Sequence, residues 1–544
     1  MSRKNRDIPA GVANMMAVAE AQARAFEGGW EEVDQIVKAA YERAASPSAD
    51  KEQPPRQPAD DADLAFYPMT DLGNAERFVA RHRELFRYVA ALGWLFYDGR
   101  RWVVEDGEMK AQLAAHDTAR AIQKEAKAIK GSDRDAVVSE PKGKEPVRLS
   151  DKLAAWGRTS ENAPKQLAML KLAAPYLATA ITELDADPWK LNVENGTIEI
   201  DRNASEEDPI RFRPHSPNDL ITKLAPVRYD PGATCERYDR FMIEVQPSPE
   251  MRRFLHQWGG YSLTGNTDEQ KLCFWYGKGR NGKSTLVDAW GHTAGDYGDT
   301  VPIETFLNEG RGRNAGQATP DLALLPGVRM LRTSEPEKGS KLAEALIKLV
   351  TGGEPIQARH LNRDYFKFRP TFKLTMSGNY RPQISGTDEG IWRRVVLVPW
   401  SVTVEKPDGA LPETLKGEAS GILNRLLDGL RDYIDQGLTL PSEVAAATRD
   451  YRDDSDPLGR FLSVAVERVQ GERVASSRMH AVFVAWAKAM GEREWSPKGL
   501  TGAMKERGYM LLRSDGSHWL DVRLVRSEFD FAPPAPPDQR TADR

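Results

Sequence analysis

Apolar positions along the chain change period several times, and each change marks an element. Ala75-Glu-Arg-Phe-Val-Ala-Arg-His82 carries the stripe of an amphipathic helix. Gly93 to Val104 alternates around Asp98-Gly99, and Leu191 to Ile200 alternates around Asn195-Gly196; both read as hairpins turning at those dipeptides. Asp106 to Leu184 is mostly helical in pattern, with a polar, Lys-rich stretch near Lys124–Lys144. Further on, Lys271-Leu-Cys-Phe-Trp-Tyr276 holds a continuous apolar run after its lysine, the sign of a buried strand, and Ser284 to Trp290 returns to helical spacing. Two more strands end on polar residues: Val328 to Thr333 runs into Glu335 and Glu337, and Phe372 to Gly378 runs into Asn379. Val395 to Pro399 is another buried strand, and Gly417 to Gln436 a helix. Near the end, Ser476 to Lys488 reads as a helix. Ser496 to Gly508 reads as a second, with an N-cap Ser, Pro at its first position and a Gly stop, and Met510 to Arg523 as a hairpin.

Breaks in the pattern set the expected organisation. Residues 9–45 are helical in character. Pro47, Pro54, Pro55 and Pro58 among charged residues make Ser46 to Ala62 a disordered linker, so that 1–64 is a partly helical, largely disordered extension. An α-rich domain over 65–215, a nucleotide-handling domain over 216–400, a helical connector over 401–440, a C-terminal unit over 441–526 and a flexible tail over 527–544 follow. No internal repeat is present. A length of 544 residues suits such a multidomain chain.

Composition narrows the setting. No apolar run approaches the roughly 18 residues that span a bilayer, and Met1 to Asp7 lacks the apolar core of a signal peptide. Cys235 and Cys273 are the only cysteines, which excludes a disulfide framework and a Cys-based zinc ribbon. A cytoplasmic setting, in a bacterial host cell, is expected. The net charge of −4 means that any nucleic-acid contact must use a local patch. One such patch is Arg359, Arg363, Lys367, Arg369, Lys373 and Arg381, against the single acid Asp364.

The chemistry centres on Gly277-Lys278-Gly279-Arg280-Asn281-Gly282-Lys283-Ser284, which fits G-x-x-x-x-G-K-[ST] between a strand and a helix. Glycines there let backbone N–H groups, continuing to Thr285, turn inward around phosphates; Lys283 reaches the β- and γ-phosphates, and the Ser284 hydroxyl ligates Mg²⁺. ATP and Mg²⁺ are therefore the expected cofactors. Hydrolysis also needs acids, a polar group by the γ-phosphate and usually an arginine. Glu335 and Glu337, Asn379, and Arg393 or Arg394 are the candidates. The plainer alternatives are an acidic loop after an edge strand, a turn residue before Pro382, and a strand-end pair of arginines.

In order and spacing, this series resembles the superfamily 3 helicases, and most of all the helicase half of phage, plasmid and poxvirus primase-helicases. Asp71 to Arg77, Asn195-Gly196-Thr-Ile, Trp258 to Gly265 and Asp388-Glu-Gly-Ile-Trp-Arg-Arg394 are also similar to stretches of those proteins. The resemblance covers roughly residues 70–525. It implies an α/β fold: an AAA+-like P-loop NTPase core with an α-rich N-terminal domain and a C-terminal winged helix. It also implies a homo-oligomeric ring, usually a hexamer, with ATP between subunits. Glu335 then polarises the water and helps hold Mg²⁺, with Glu337 as a helper; Asn379 is the sensor, and Arg393 or Arg394 the finger given to a neighbour. The basic stretch becomes a pore hairpin, with Ile356 to His360 and Tyr365 to Arg369 as strands and Leu361–Asp364 as the tip. Arg359, His360, Arg363 and Lys367 would there grip DNA phosphates. In the winged helix, Lys498, Lys505, Arg507, Arg513 and His518 would touch DNA.

The expected activity is that of an ATP-dependent replicative DNA helicase of a phage, prophage or plasmid-like element, acting on single-stranded and forked DNA. An origin-binding initiator without unwinding and a translocase on duplex DNA are the rival readings. Family members often begin with a primase domain, but Asp61-Ala62-Asp63 lies in the linker with no β-rich fold around it. It reads as a solvated acidic run, so a separate primase or polymerase is the expected partner.

Overall fold

The computed structural model describes residues 60–204, 207–308, 320–333, 335–359, 365–384, 389–514 and 516–531. The helical reading of 9–45, most of the linker, the hairpin tip with His360 and Arg363, and most of the tail lie outside the described residues. The chain divides into two units, one of Met1–Arg81 with His116–Met169 and one of His82–Ala115 with Leu170–Arg544. The stretch expected as a single α-rich domain thus contributes to both.

In the smaller unit, helix Asp71–His82 buries Arg77 completely. Its guanidinium pairs with Glu125 at 2.8 Å and also donates to the carbonyls of Leu64, Tyr67 and Pro68. A buried cation is tolerable only when paired and fully hydrogen-bonded, as here. Asn74 of the same helix donates to Ser160 and accepts from the Trp156 indole, tying in helix Leu149–Ser160. Asp61-Ala62-Asp63 keeps Asp63 exposed, as a solvated acidic run would, and Asp61 half-buried. It opens the short helix Asp61–Leu64, with Asp61 paired to Arg81 at 2.5 Å and Asp63 to Arg134 at 3.1 Å. The Lys-rich stretch also holds a ribbon, Val137–Ser139 against Val147–Arg148. The first of these strands is exposed throughout, so it leaves no apolar alternation to read.

The larger unit opens with the antiparallel strands Phe86–Val89, Gly93–Tyr97 and Trp102–Val103. The Asp98-Gly99 turn is there: the Asp98 carboxylate accepts from the Arg100 and Arg101 amides, and Gly99 has φ +95. The second expected hairpin turns one residue earlier than its Asn-Gly suggests, because Val193 pairs with Gly196 and leaves Glu194-Asn195 as the turn. Asn195 spends its side chain on the backbone of Tyr229, giving 3.0 Å to its carbonyl and taking 2.8 Å from its amide. Gly196 is needed for a different reason. A Cβ there would lie 2.3 Å from the Arg213 carbonyl on the third strand, Ile210–Arg213.

The centre is a five-stranded parallel sheet of β1 (Leu272–Tyr276), β2 (Gly298–Val301), β3 (Met330–Thr333), β4 (Lys373–Gly378) and β5 (Val395–Pro399), in the order β2-β3-β4-β1-β5. Apolar cores cover both faces, which is why β1 and β5 read as continuous apolar runs. Cys273, Trp275, Val396 and Val398 pack with helices Pro249–Leu263, Lys283–Ala294 and Ala419–Gln436. Leu272, Phe274, Val395 and Leu397 pack with helix Glu344–Thr351 and with Tyr451. β3 is an interior strand, so the edge-strand alternative fails. Arg329, just before it, is buried over the Tyr297 ring at 4.4 Å and donates to the Leu263 carbonyl.

At the C-terminal end, helix Pro457–Ala465 leads into strand Val466–Ala475. Helices Ser476–Met490 and Pro497–Glu506 and the hairpin Leu511–Ser514/Gly516–Leu524 follow. The two helices and the hairpin match the expectation; the strand does not. Glu467, Arg468, Glu472 and Arg473 mask its period, and it joins the hairpin as an outer strand with a register shift between Arg468 and Arg473.

Candidate functional site

β1 delivers the chain into the phosphate loop at the end of the sheet where β3 and β4 also stop. The loop's glycines answer to close approach. A Cβ on Gly277 would sit 2.1 Å from the Trp400 carbonyl, and Gly282 combines φ +83 with a Cβ position 2.6 Å from Val245. Arg280 also has a positive φ, +61, and its carbonyl accepts from the Val404 amide at 2.6 Å. Asn281 donates to the carbonyls of Lys278 (2.6 Å) and Trp400 (3.3 Å). The loop is thus fastened to the segment after β5, and its helix points its N-terminus at the space a phosphate would fill. Lys283 is buried, donating to the Gly277 carbonyl at 2.6 Å and to Asn281 Oδ1 at 3.0 Å. Burial lowers its ammonium below the usual lysine value, and the Glu335 carboxylate works against that lowering.

Across from the loop, Glu335 Oε1 accepts from the Asn379 backbone amide at 2.5 Å, joining the ends of β3 and β4. Loop residues Gly279 to Thr285, Glu335 and Asn379 line one cavity of about 430 Å³. Glu337 is exposed and is not among the residues lining that cavity. Sequence reasoning missed Asp288, Thr300, Ser377 and the part played by Arg332 there. Arg332 ion-pairs with Asp288 of the loop's helix and donates to Thr300 at 2.5 Å. An arginine inside an otherwise apolar strand was the available signal. The Thr333 hydroxyl also lines the cavity, is buried and has no hydrogen-bond partner among the described residues. That orphan hydroxyl, the exposed Ser284 at the helix N-terminus and the Glu335 carboxylate fit a Mg²⁺-bound triphosphate: hard oxygen donors, few in number, as suits a metal that keeps waters and substrate phosphates as ligands.

The two arginines before β5 differ. Arg394 is buried and donates to Thr351 Oγ1 (3.0 Å), Gln270 Oε1 (3.3 Å) and the Gly390 carbonyl. Arg393 is exposed and reaches Gln270 Oε1 at 3.2 Å. Both sit level with the start of β1, since Val395 pairs with Leu272, at the opposite end of the sheet from the loop.

The basic stretch forms the expected two-stranded hairpin, with Ile356 opposite Phe368, Gln357 opposite Lys367 and Ala358 opposite Phe366. Gln357 and Lys367 share its exposed face, and the Arg359 guanidinium lies 4.7 Å over the Tyr365 ring. The patch is smaller than its sequence implies. Lys373 is buried at the start of β4, giving its protons to the carbonyls of Thr264, Asn266 and Thr371. Arg381 pairs with Asp454 at 3.0 Å. In the C-terminal unit Lys498, Lys505 and Arg513 are exposed and His518 half-buried, whereas Arg507 ion-pairs with Asp456 at the cap of helix Pro457–Ala465.

Comparison with known proteins agrees with the motif series. Residues 75–247 match the family model described as D5 N terminal like. The "Putative helicase" of Acanthamoeba polyphaga mimivirus is 27% identical over 350 residues, covering 60% of this chain and 35% of that protein. That of Frog virus 3 is 26% identical over 269 residues, covering 46% and 27%. The chain therefore spans about a third or less of the length of these relatives. Among solved structures, the apo C-terminal region of NrS-1 aligns over 62% of this chain and 82% of its own, at 11% identity and a TM-score of 0.36. The family-model match and the two viral relatives support a helicase-like replication protein. Among the described residues no helix is long and apolar enough to cross a membrane.

Proposed function

We propose that the chain is an ATP-dependent DNA helicase that works as a ring, a hexamer, in the replication of a phage, prophage or plasmid-like element. The observation that carries this reading is the convergence of the phosphate loop, Glu335 and Asn379 on one cavity, with Arg393 exposed at the far end of the same sheet. The strand order β2-β3-β4-β1-β5 supports an AAA+-like core. The helix, strand, two helices and hairpin after Pro457 support a C-terminal winged helix, offering Lys498, Lys505 and Arg513 to DNA.

Loop amides from Gly279 to Thr285 hold the phosphates, and Lys283 exchanges its two loop acceptors for phosphate oxygens. Ser284 and Glu335 would hold Mg²⁺, which would supply charge neutralisation on those oxygens. Glu335 takes the proton of the attacking water, and Asn379, which meets it through the backbone, orients that water. Five residues of β5 separate Arg393 from the loop's end of the sheet, roughly 17 Å, too far for one arginine side chain. Arg393 therefore acts on the ATP of a neighbouring subunit, while Arg394 holds its own subunit together. The hairpin residues Arg359, His360, Arg363 and Lys367 grip single-stranded DNA at the ring's centre.

The decisive measurement is ATP hydrolysis with and without single-stranded DNA, paired with strand displacement on a fork. Turnover that ignores DNA, with no displacement, would overturn the reading. Arg393→Ala should keep nucleotide binding and lose turnover by about 10³-fold or more. Mixed with Lys283→Ala subunits it should recover activity wherever an intact loop faces an intact arginine. Mixed rings that show no recovery would count against a shared site. Arg394→Ala should instead unfold at lower temperature, because the buried groups it satisfies lose their partner.

A further inference from the structure

A second concave site lies at the base of the hairpin. It is a cleft of about 710 Å³, bounded on one side by Phe366 to Thr371 and on the other by Ile181 to Trp189 and Arg202. That volume is in the range of specific ligand sites, about 300–1,000 Å³. Trp189, Phe366 and Phe368 are half-buried along it, the two phenylalanine rings 6.0 Å apart. Arg202, Lys367 and Arg369 are exposed along it, and Arg202 stands 5.7 Å over the Trp189 ring. Two acids share the cleft, but both are engaged. Asp185 accepts from the Thr222 amide (2.8 Å) and hydroxyl (2.5 Å), and Asp268 lies 3.7 Å from Arg202. Three cations, Arg202, Lys367 and Arg369, against two acids, Asp185 and Asp268, leave the cleft one net positive charge, interleaved with aromatic rings. Rings give bases a surface to stack on whatever their sequence, and cations beside them take the phosphates.

We propose that this cleft binds single-stranded nucleic acid, with bases against Trp189 and the Phe366–Phe368 pair and phosphates against Arg202, Lys367 and Arg369. This rests on the helicase reading and extends it: the strand held at the hairpin continues along the hairpin's base onto residues that carry no part of the phosphate loop. Stacking at Trp189 gives affinity without sequence preference, and the strand leaves the hairpin along a fixed route.

The test uses the full chain and a fluorescent oligothymidylate. Trp189→Ala should weaken binding by about 5- to 150-fold, the range set by loss of one stacked base, and Trp189→Phe should restore most of it. Arg202→Ala and Arg369→Ala, both at exposed positions, should each flatten the slope of log affinity against log salt by about 0.7. Photo-crosslinking with an iododeoxyuridine-substituted strand should give adducts on the peptides holding Trp189 or Phe366–Phe368. If the wild-type chain binds oligonucleotide while Trp189→Ala binds equally well, the arginine variants keep the wild-type salt slope and all adducts map elsewhere, the cleft serves another occupant and the inference falls. A wild-type chain that binds no oligonucleotide at all overturns the helicase reading itself, and the two failures are thereby distinguished.

Discussion

Lys283→Ala should remove ATP hydrolysis, lowering turnover by about 100- to 1,000-fold or more, the cost of deleting one preorganised charge at developing phosphate charge. In the free protein the Lys283 ammonium is held by the Gly277 carbonyl and Asn281 Oδ1. Those contacts keep the side chain folded against the loop, ready to exchange two neutral acceptors for phosphate oxygens. Alanine takes away the charge and leaves both acceptors without this donor, so nucleotide affinity falls together with turnover. Strand displacement should be lost as well. The checks are steady-state phosphate release and binding of a fluorescent ATP analogue. A variant that still hydrolyses ATP at a tenth of the wild-type rate would sink the assignment of this loop as the phosphate site.

Glu335→Gln should separate binding from chemistry. The carboxamide oxygen can still accept from the Asn379 amide, so the ends of β3 and β4 stay joined. The carboxylate that takes the water's proton is gone, and general-base catalysis is worth typically 10²–10⁴-fold. Turnover should fall by about that factor while ATP binds as before and the assembled ring accumulates with ATP in place. Glu335→Ala should do worse, because it also releases Asn379. Single-turnover hydrolysis beside analogue affinity reads the difference. Wild-type turnover in the Gln variant would move the catalytic acid elsewhere, with the exposed Glu337 the next to test.

What could be read from sequence was what short-range chemistry decides. The phosphate loop, the strand before it and the helix after it are local, and they sit where the motif places them. β5 was recognisable because burial on both faces leaves a bare apolar run. Long-range effects were hidden. Nothing near Asn195 announces that its side chain is taken up by Tyr229 and that the turn therefore moves to Glu194-Asn195. Strand Val466–Ala475 escaped because its charged residues mask its period. Arg332 stands in an otherwise apolar strand, and its partners Asp288 and Thr300 are both distant in sequence. Arg393 and Arg394 are adjacent and chemically equal, and only burial tells them apart.

The same holds for two lysines six positions apart, and it has a practical consequence. Lys367 stands in solvent, whereas Lys373 is buried at the start of β4 with its protons on three carbonyls, and burial, aided by Arg329, pushes its ammonium well below the usual lysine value. An amine-reactive reagent should modify Lys367 in the native protein and reach Lys373 only when the central sheet opens. Both residues fall within one short stretch of chain, so the ratio of their labelling reports the opened fraction against an internal standard. Quantitative mass spectrometry could then follow the integrity of the core in a cell extract, without purification and without a probe attached to the protein.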